Sequence, residues 1–422
     1  MSDTIENTPD SGTASGKAPA VMAEKVEVPE SRQKQTIGQL LRNDLGFIPV
    51  LITLIIVMVF FQATTNGLFF SPRNISNLFF QTATIGLVGL GVILVLLLGE
   101  IDLSVAAVST LCGVILGVLS ERLGGGLPPW VSIPGALLAG ALIGFLNGYF
   151  VAVLRIPSFI VTLATSITYS GLLITLLAGQ ATLEIQNTFI DNIAGSPTSY
   201  LPDYLGIGLP TIAVLLYVLS LIINYRKRKR IGLSNPGVPQ FLVQLIVPIL
   251  VVEGAVVIFE SYNGVPYSTA ILFGAILLFW IILTKTPFGR HIYAVGGNKE
   301  AARRAGINVV AIQLIVFTLC SLLASAGGII EASYTTSASS QVSNTLLLDA
   351  IAAPVIGGVS LFGGIGSAWS LVLGMLIIGS LANGLALKNL GADTVQIVEG
   401  IVLIVAVTAD AVIRRLQART GR

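Results

Sequence analysis

Between residues 47 and 413 the chain is a succession of apolar runs, most of them close to 20 residues long and nearly free of charge. Wound at ~1.5 Å per residue, a run of that length crosses the ~30 Å hydrocarbon layer of a bilayer as an α-helix. Twelve candidates stand near 47–64, 83–99, 103–120, 130–151, 157–178, 206–224, 239–260, 267–284, 308–330, 346–362, 367–385 and 395–413. The charge supply agrees. Of 23 basic and 21 acidic residues, 12 crowd into the first 46 positions. What remains falls far below the ~25% charged residues of soluble domains and cannot clothe a water-facing surface. The expected fold is therefore all-α, a polytopic transmembrane helical bundle of about 12 (10–12) membrane segments. A soluble domain is excluded, and a net charge of +2 offers no footprint for a nucleic acid.

Two pairs of runs are parted only by short polar or Gly-rich breaks, Gly99-Glu100-Ile101-Asp102 and Phe362-Gly363-Gly364-Ile365-Gly366. Either pair is a set of full crossings or of broken, re-entrant helices, which membranes accept only inside protein or beside water. The stretches 85–117 and 348–379 are weakly alike, either as a duplicated core or merely as Gly/Leu/Val helices tend to be.

Basic residues orient the set. They gather at Arg32, Lys34 and Arg42, at Arg226 to Arg230, at Lys285, Arg290, Lys299, Arg303 and Arg304, and at Arg414, Arg415, Arg419 and Arg422. The loops 179–205, 261–266 and 331–345 hold no Lys or Arg. The positive-inside rule puts the first four groups, with both termini, in the cytoplasm and the three loops outside. Twelve crossings satisfy each assignment. Residues 1–46 read as a disordered cytoplasmic tail, 47–413 as the transmembrane domain and 414–422 as a basic cytoplasmic tail. No signal peptide is expected, because the first apolar run begins only near Phe47. The tail's Gly12 to Lys17 is a chance near miss to a P-loop, one residue short between its glycines and without the final Ser or Thr.

Catalysis is not expected. Cys112 and Cys320 lie inside apolar runs, and His291 is the single histidine. No Cys/His spacing suggests a metal, and no acid–base or nucleophilic constellation appears.

The longest ordered cytoplasmic loop runs from Thr286 to Asn308. Asn298 is a good helix N-cap, Glu300 suits the positive end of a helix dipole, and Gly306 suits a C′ stop. A helix of about two turns is expected between two spans. Alone it is too short to be stable, so it docks either on its own bundle or in a groove of a partner.

Here a specific resemblance enters. Glu300-Ala301-Ala302-x-x-x-Gly306 resembles the cytoplasmic loop motif of ABC importer permeases. The wider string Gly296-Gly297-Asn298-x-x-Ala301-Ala302-x-x-x-Gly306-Ile307 resembles the branch that imports monosaccharides such as ribose, galactose and xylose. Glu100-Ile101-Asp102-Leu103-Ser104-Val105 resembles a second signature of that branch, with Ala106 where glycine is usual. Ile351 to Gly358 with Gly363 to Ser367 resembles a third. Ile156 to Ala164, Ser199 to Pro202, Tyr262 to Pro266 and the additional span at 226–260 look most like the xylose-permease subgroup.

The resemblance implies the ABC importer permease fold and a passive transport subunit of the bacterial inner membrane, moving xylose or a related pentose. It implies an ATPase-coupling helix at 296–307 carried by Gly296, Gly297, Asn298, Glu300, Ala301, Ala302, Arg304, Gly306 and Ile307. No cofactor would be bound by this chain; ATP and Mg would be used by a cytoplasmic ABC ATPase subunit. A periplasmic sugar-binding protein, a second copy of the chain and membrane lipid complete the expected partners.

Polar residues inside apolar spans need a reason, since a mid-membrane charge costs ~2.5–3.5 kcal/mol on insertion scales. Asp102, Ser104, Asn147, Ser158, Thr162, Asp349 and Asn383 are the candidates for a translocation pathway. Each has a structural alternative: capping for Asp102 and Asp349, an interhelical hydrogen bond on the Gly140/Gly144/Gly148 face for Asn147, and bonding back to helix carbonyls for Ser158 and Thr162. A sugar has many hydroxyls and no charge, so weakly held neutral groups suit its path. Glu253 sits mid-span without an evident partner. With Asp349 and Glu399 it could instead serve an ion-coupled secondary transporter, an alternative that the coupling motif argues against.

Overall fold

The computed structural model describes residues 48–195, 199–232, 237–391, 393–398, 400, 401, 404 and 408. The 1–46 tail with its Gly12 to Lys17 string, the 414–422 tail, Glu399 and most of the 395–413 candidate lie outside the described residues. The chain is helical almost throughout. In order the elements are α1 (Ile48–Thr64), α2 (Pro72–Leu97), α3 (Val105–Gly117), α4 (Pro129–Ala152), α5 (Ser158–Leu176), β1 (Thr182–Glu184), α6 (Thr188–Ala194), α7 (Asp203–Arg230), α8 (Val238–Glu260), α9 (Tyr267–Lys285), α10 (Pro287–Gly297), α11 (Lys299–Arg304), α12 (Val309–Tyr334), β2 (Ser337–Ser339), α13 (Asn344–Ile356) and α14 (Ser370–Leu387).

Nine helices among the described residues are long and apolar enough to cross a membrane: α2, α3 with its irregular continuation to Gly125, α4, α5, α7, α8, α9, α12 and α14. Two further apolar helices, α1 and α13, are shorter. The 13 residues of α13 reach only ~20 Å at ~1.5 Å each, so this helix by itself is shorter than a full crossing. Gly357 closes it and Gly358 turns the chain at φ +100°.

Burial follows sequence character. Helix α2 is buried almost all round at the centre of the bundle, its second half uniformly apolar. Ser71 caps it and Pro72 opens it, so it starts eleven residues before the sequence-based limit at 83. Helices α7 and α8 are equally apolar yet barely buried, with Leu215, Leu216, Val247 and Leu250 exposed, as a lipid-facing hairpin requires. Helix α7 runs on through the basic Arg226 to Arg230, beyond the expected limit at 224. Glycine lets α4 and α12 approach closely. A Cβ on Gly144 of α4 would stand 2.7 Å from the Ser321 side chain of α12, closer than side chains tolerate.

The two ends of the bundle are built differently. At one end the loops without Lys or Arg are tied together. Strand β1 pairs antiparallel with β2, Thr182 opposite Ser339 and Glu184 opposite Ser337. Leu201 N donates to Val265 O at 2.8 Å, and Tyr267 N to Ser199 O at 3.1 Å. At the other end the basic loop of α10 and α11 meets the breaks at 98–104 and 357–369.

Candidate coupling and translocation site

The expected cytoplasmic helix forms as α11. Asn298 caps it through Oδ1, which accepts from Ala301 N at 2.9 Å, and Gly306 ends it at φ +85°. Glu300 pairs along the helix with Arg303 at 3.0 Å and Arg304 at 3.3 Å. Only Ala302 is buried and Ile307 half-buried; Gly297, Asn298, Glu300, Ala301, Arg304 and Gly306 are all exposed. Ala302 is the one buried side chain of the peg, and most of its remaining surface is exposed.

A separate helix precedes it. In α10 Thr286 Oγ1 accepts from Gly289 N at 3.2 Å and Pro287 takes the first helical position. Thr286-Pro287 is the sequence signal for it. Ile292 and Val295 face the core. Its last turn is pressed onto two other segments. A Cβ on Gly296 would lie 2.7 Å from Gly364 N and 2.9 Å from the Leu97 carbonyl carbon, closer still to its oxygen. Gly364 N donates to Leu97 O at 2.9 Å, and Tyr293 OH donates to Gly366 O at 2.8 Å. Burial raises the Tyr293 phenol above its ordinary pKa. Three chain segments, 97–100, 293–297 and 362–366, are thus in backbone contact.

The α2–α3 break continues into the bundle as a buried polar network, in which only Asp102 Oδ2 is left without a hydrogen-bond partner. Asp102 Oδ1 accepts from Ser104 N at 2.8 Å and from Ser104 Oγ at 2.6 Å. Asn147 Nδ2 of α4 donates to Ser104 Oγ at 3.0 Å, and Tyr169 OH of α5 donates to Asn147 Oδ1 at 3.0 Å. Ser158 Oγ and Thr162 Oγ1, one turn apart on α5, accept from Ile101 N at 3.2 Å and Leu103 N at 3.0 Å. Thr162 also bonds back to Ser158 O at 2.8 Å. The side chains therefore satisfy amides of a non-helical segment that have no helical partner. Five of the seven sequence candidates meet here: Asp102, Ser104, Asn147, Ser158 and Thr162. All are buried. Asn147 does not use the glycine face; Gly140, Gly144 and Gly148 pack on α12, whereas Asn147 turns to α3 and α5.

Asn383 belongs to a second cluster. Its Oδ1 accepts from Asn74 Nδ2 at 2.8 Å, and its Nδ2 donates to Gln81 Oε1 at 3.3 Å. Tyr334 OH donates to Asn77 Oδ1 at 3.2 Å, and Thr84 Oγ1 donates to Glu331 Oε2 at 3.0 Å. Asn77, Gln81 and Thr84 recur at helical spacing on α2, a signal that placing the start of this span at 83 conceals.

Asp349 is not a cap. Helix α13 begins at Asn344 with Ser343 as its N-cap, accepting from Leu346 N at 3.1 Å, so Asp349 lies in the second turn and is half-buried. Glu253 has a partner after all: Thr211 Oγ1 of α7 donates to Glu253 Oε2 at 3.3 Å, within the lipid-facing hairpin. Among the described residues no three His, Cys, Asp or Glu side chains gather as a metal-holding group.

Residues 74–407 match the family model described as the branched-chain amino acid transport system / permease component. The chain belongs to this permease family. The permease is 36% identical to the xylose transport system permease protein of Haemophilus influenzae, over 86% of this chain and 95% of the relative. It is 33% identical to the ribose import permease protein of H. influenzae over 89% of this chain and 94% of that one. To the fructose import permease protein of Rhizobium meliloti it is 29% identical over 91% and 90%. No solved structure matches it. The expected all-α polytopic permease is thus what the chain is, and membership as a transport subunit accords with an interior built for packing.

Proposed function

We propose that this permease imports a monosaccharide, xylose or a related pentose, across the bacterial inner membrane as one of two copies, driven by a separate ATPase. The observation that carries the proposal is α11: a capped, two-turn peg held by Ala302 and otherwise open. A helix of six residues gains little by standing exposed, and a groove in a partner supplies the missing contacts. The similarity to xylose, ribose and fructose permeases supports the sugar, with xylose favoured by the higher identity.

In the mechanism that follows, ATP and Mg act wholly on the partner ATPase. Its two nucleotide states hold α11 in two positions, and the difference in contact free energy moves the permease between outward- and inward-facing forms. An external sugar-binding protein delivers substrate to the loops without Lys or Arg, which face outward under the positive-inside rule with both termini inside. Glu300 has a double part, holding Arg303 and Arg304 and presenting a carboxylate in the first turn. Glu300→Arg is expected to leave membrane insertion normal while abolishing ATPase co-purification or sugar uptake. Wild-type assembly and uptake in that variant would remove the coupling assignment. Collapse of ion gradients in vesicles with ATP intact should leave uptake unchanged, and competition by branched-chain amino acids instead of pentoses would overturn the substrate.

A further inference from the structure

The α2–α3 break carries one charged side chain that the packing of the break does not require. Glu100 Oε1 accepts from Lys299 Nζ at 3.2 Å and from Gln313 Nε2 at 2.9 Å. Lys299 is the first residue of α11; Gln313 is a buried residue of α12. One carboxylate oxygen thus joins the exposed peg, the break and a central span.

We infer that Glu100 is a positioning residue, holding α11 in register with the α2–α3 break so that displacement of the peg is delivered to α3 and α5. The inference rests on the coupling reading above and names the side chain through which coupling runs. Helix α11 has few other anchors, so without the pair the loop at 305–308 can absorb its motion. The break itself cannot give. A Cβ on Gly99 would meet Phe362 O at 3.2 Å, and the amides of Ile101 and Leu103 are held by Ser158 and Thr162 of α5. A pull on Glu100 is therefore passed to α5 rather than lost in slack backbone. The pair is also reversible. The Lys299 side chain is 53% exposed and that of Glu100 18%, so solvent screens the attraction to a strength suited to a contact that cycles.

The test uses the full complex of permease, ATPase and binding protein in liposomes containing a pentose gradient. Co-purification, ATP hydrolysis and uptake are measured in parallel for wild type, E100Q, K299Q and the swap E100K/K299E. E100Q keeps an acceptor for Gln313 and loses the charge. Both single variants should retain assembly and hydrolysis while uptake per ATP falls about two- to fivefold, the range expected for a partly exposed pair. The swap should recover most of that loss, with the Gln313 amide turned to offer its oxygen to the new lysine. A wild-type uptake-to-hydrolysis ratio in both singles overturns the inference, as does a swap no better than the worse single. Loss of assembly in E100Q also overturns it, since a positioning residue leaves docking intact. Failure of wild-type permease to capture any ATPase would instead sink the coupling reading itself.

Discussion

Gly296 offers the sharpest check on the junction where α10 meets α2 and the 362–366 loop. In Gly296→Ala the new Cβ would stand 2.7 Å from Gly364 N, and ordinary contact begins at 3.4 Å. The gap to be opened is at least 0.7 Å, and it is larger at the Leu97 carbonyl. The obstacles are backbone atoms, which cannot swing aside. Either α10 moves out, or the Gly364 N to Leu97 O hydrogen bond breaks. Overpacking of this kind costs about 1–3 kcal/mol. Helix propensity returns ~1 kcal/mol when Ala replaces Gly, so a net loss of up to ~2 kcal/mol is expected. The neighbouring position supplies the control. A Cβ on Gly297 meets nothing within 4 Å, so Gly297→Ala should hold or raise the stability of the isolated chain by ~0.5–1 kcal/mol.

Two assays read the difference. Thermal unfolding of the detergent-solubilised chain should rank Gly297→Ala at or above wild type and Gly296→Ala below it. Uptake in the reconstituted complex should fall about tenfold or more in Gly296→Ala, because a misplacement near 1 Å in a positioning element is felt at the distant step. Gly274→Ala on α9, another glycine with nothing within 4 Å, should transport as wild type. Equal melting and equal uptake for Gly296→Ala and Gly297→Ala would show that the three segments are not in backbone contact, and the transmission argument would lose its mechanical base.

The remaining expectations concern water access and pH. Glu331 is exposed on α12 whereas the native Cys112 and Cys320 are fully buried, so a water-soluble maleimide should label Glu331→Cys quickly and wild type hardly at all; an unlabelled variant would refute water access at this position. Because burial raises the Tyr293 phenol, its protonated form is favoured by folding. That contribution is full below the unfolded value near 10 and is lost as pH rises through the higher folded value. Tyr293→Phe, which also lacks the bond to Gly366 O, should show a flatter alkaline arm in stability against pH; an unchanged arm would place the loss elsewhere.

What the sequence discloses here is what is local. Asn298, Glu300 and Gly306 lie within one helix and its caps, and α11 forms as those residues dictate. Apolar length reveals the long spans equally well. It misjudges α13 because hydropathy continues through Pro354 to Gly358, where backbone geometry and not polarity stops the helix. It misplaces the start of α2 because Asn74, Asn77 and Gln81 make the first turns look like loop, although Ser71-Pro72 is a strong start signal. The role of Glu100 is invisible for a different reason. Its partners stand 199 and 213 positions away, and no periodicity links residues that only tertiary packing brings together. Asn147 shows the intermediate case: its need for a hydrogen bond is legible, but which face supplies the bond is not.

The burial of the central network bears on where a sugar can pass. Asp102, Ser104, Asn147 and Thr162 are each at most 2% exposed, and their groups are largely satisfied by one another and by amides of the break. A solute threading between them would have to displace hydrogen bonds that hold non-helical backbone, where each orphaned buried amide costs about 1–3 kcal/mol. A weakly held, many-hydroxyl substrate cannot return that cost. The cluster of Asn77, Gln81, Tyr334 and Glu331 differs: it is only partly covered, carries mainly neutral donors and acceptors, and lies along one face of α2 and α12. A route along that face has only one wall in a single chain. In the two-copy arrangement proposed above, the second copy would supply the other wall with the same chemistry.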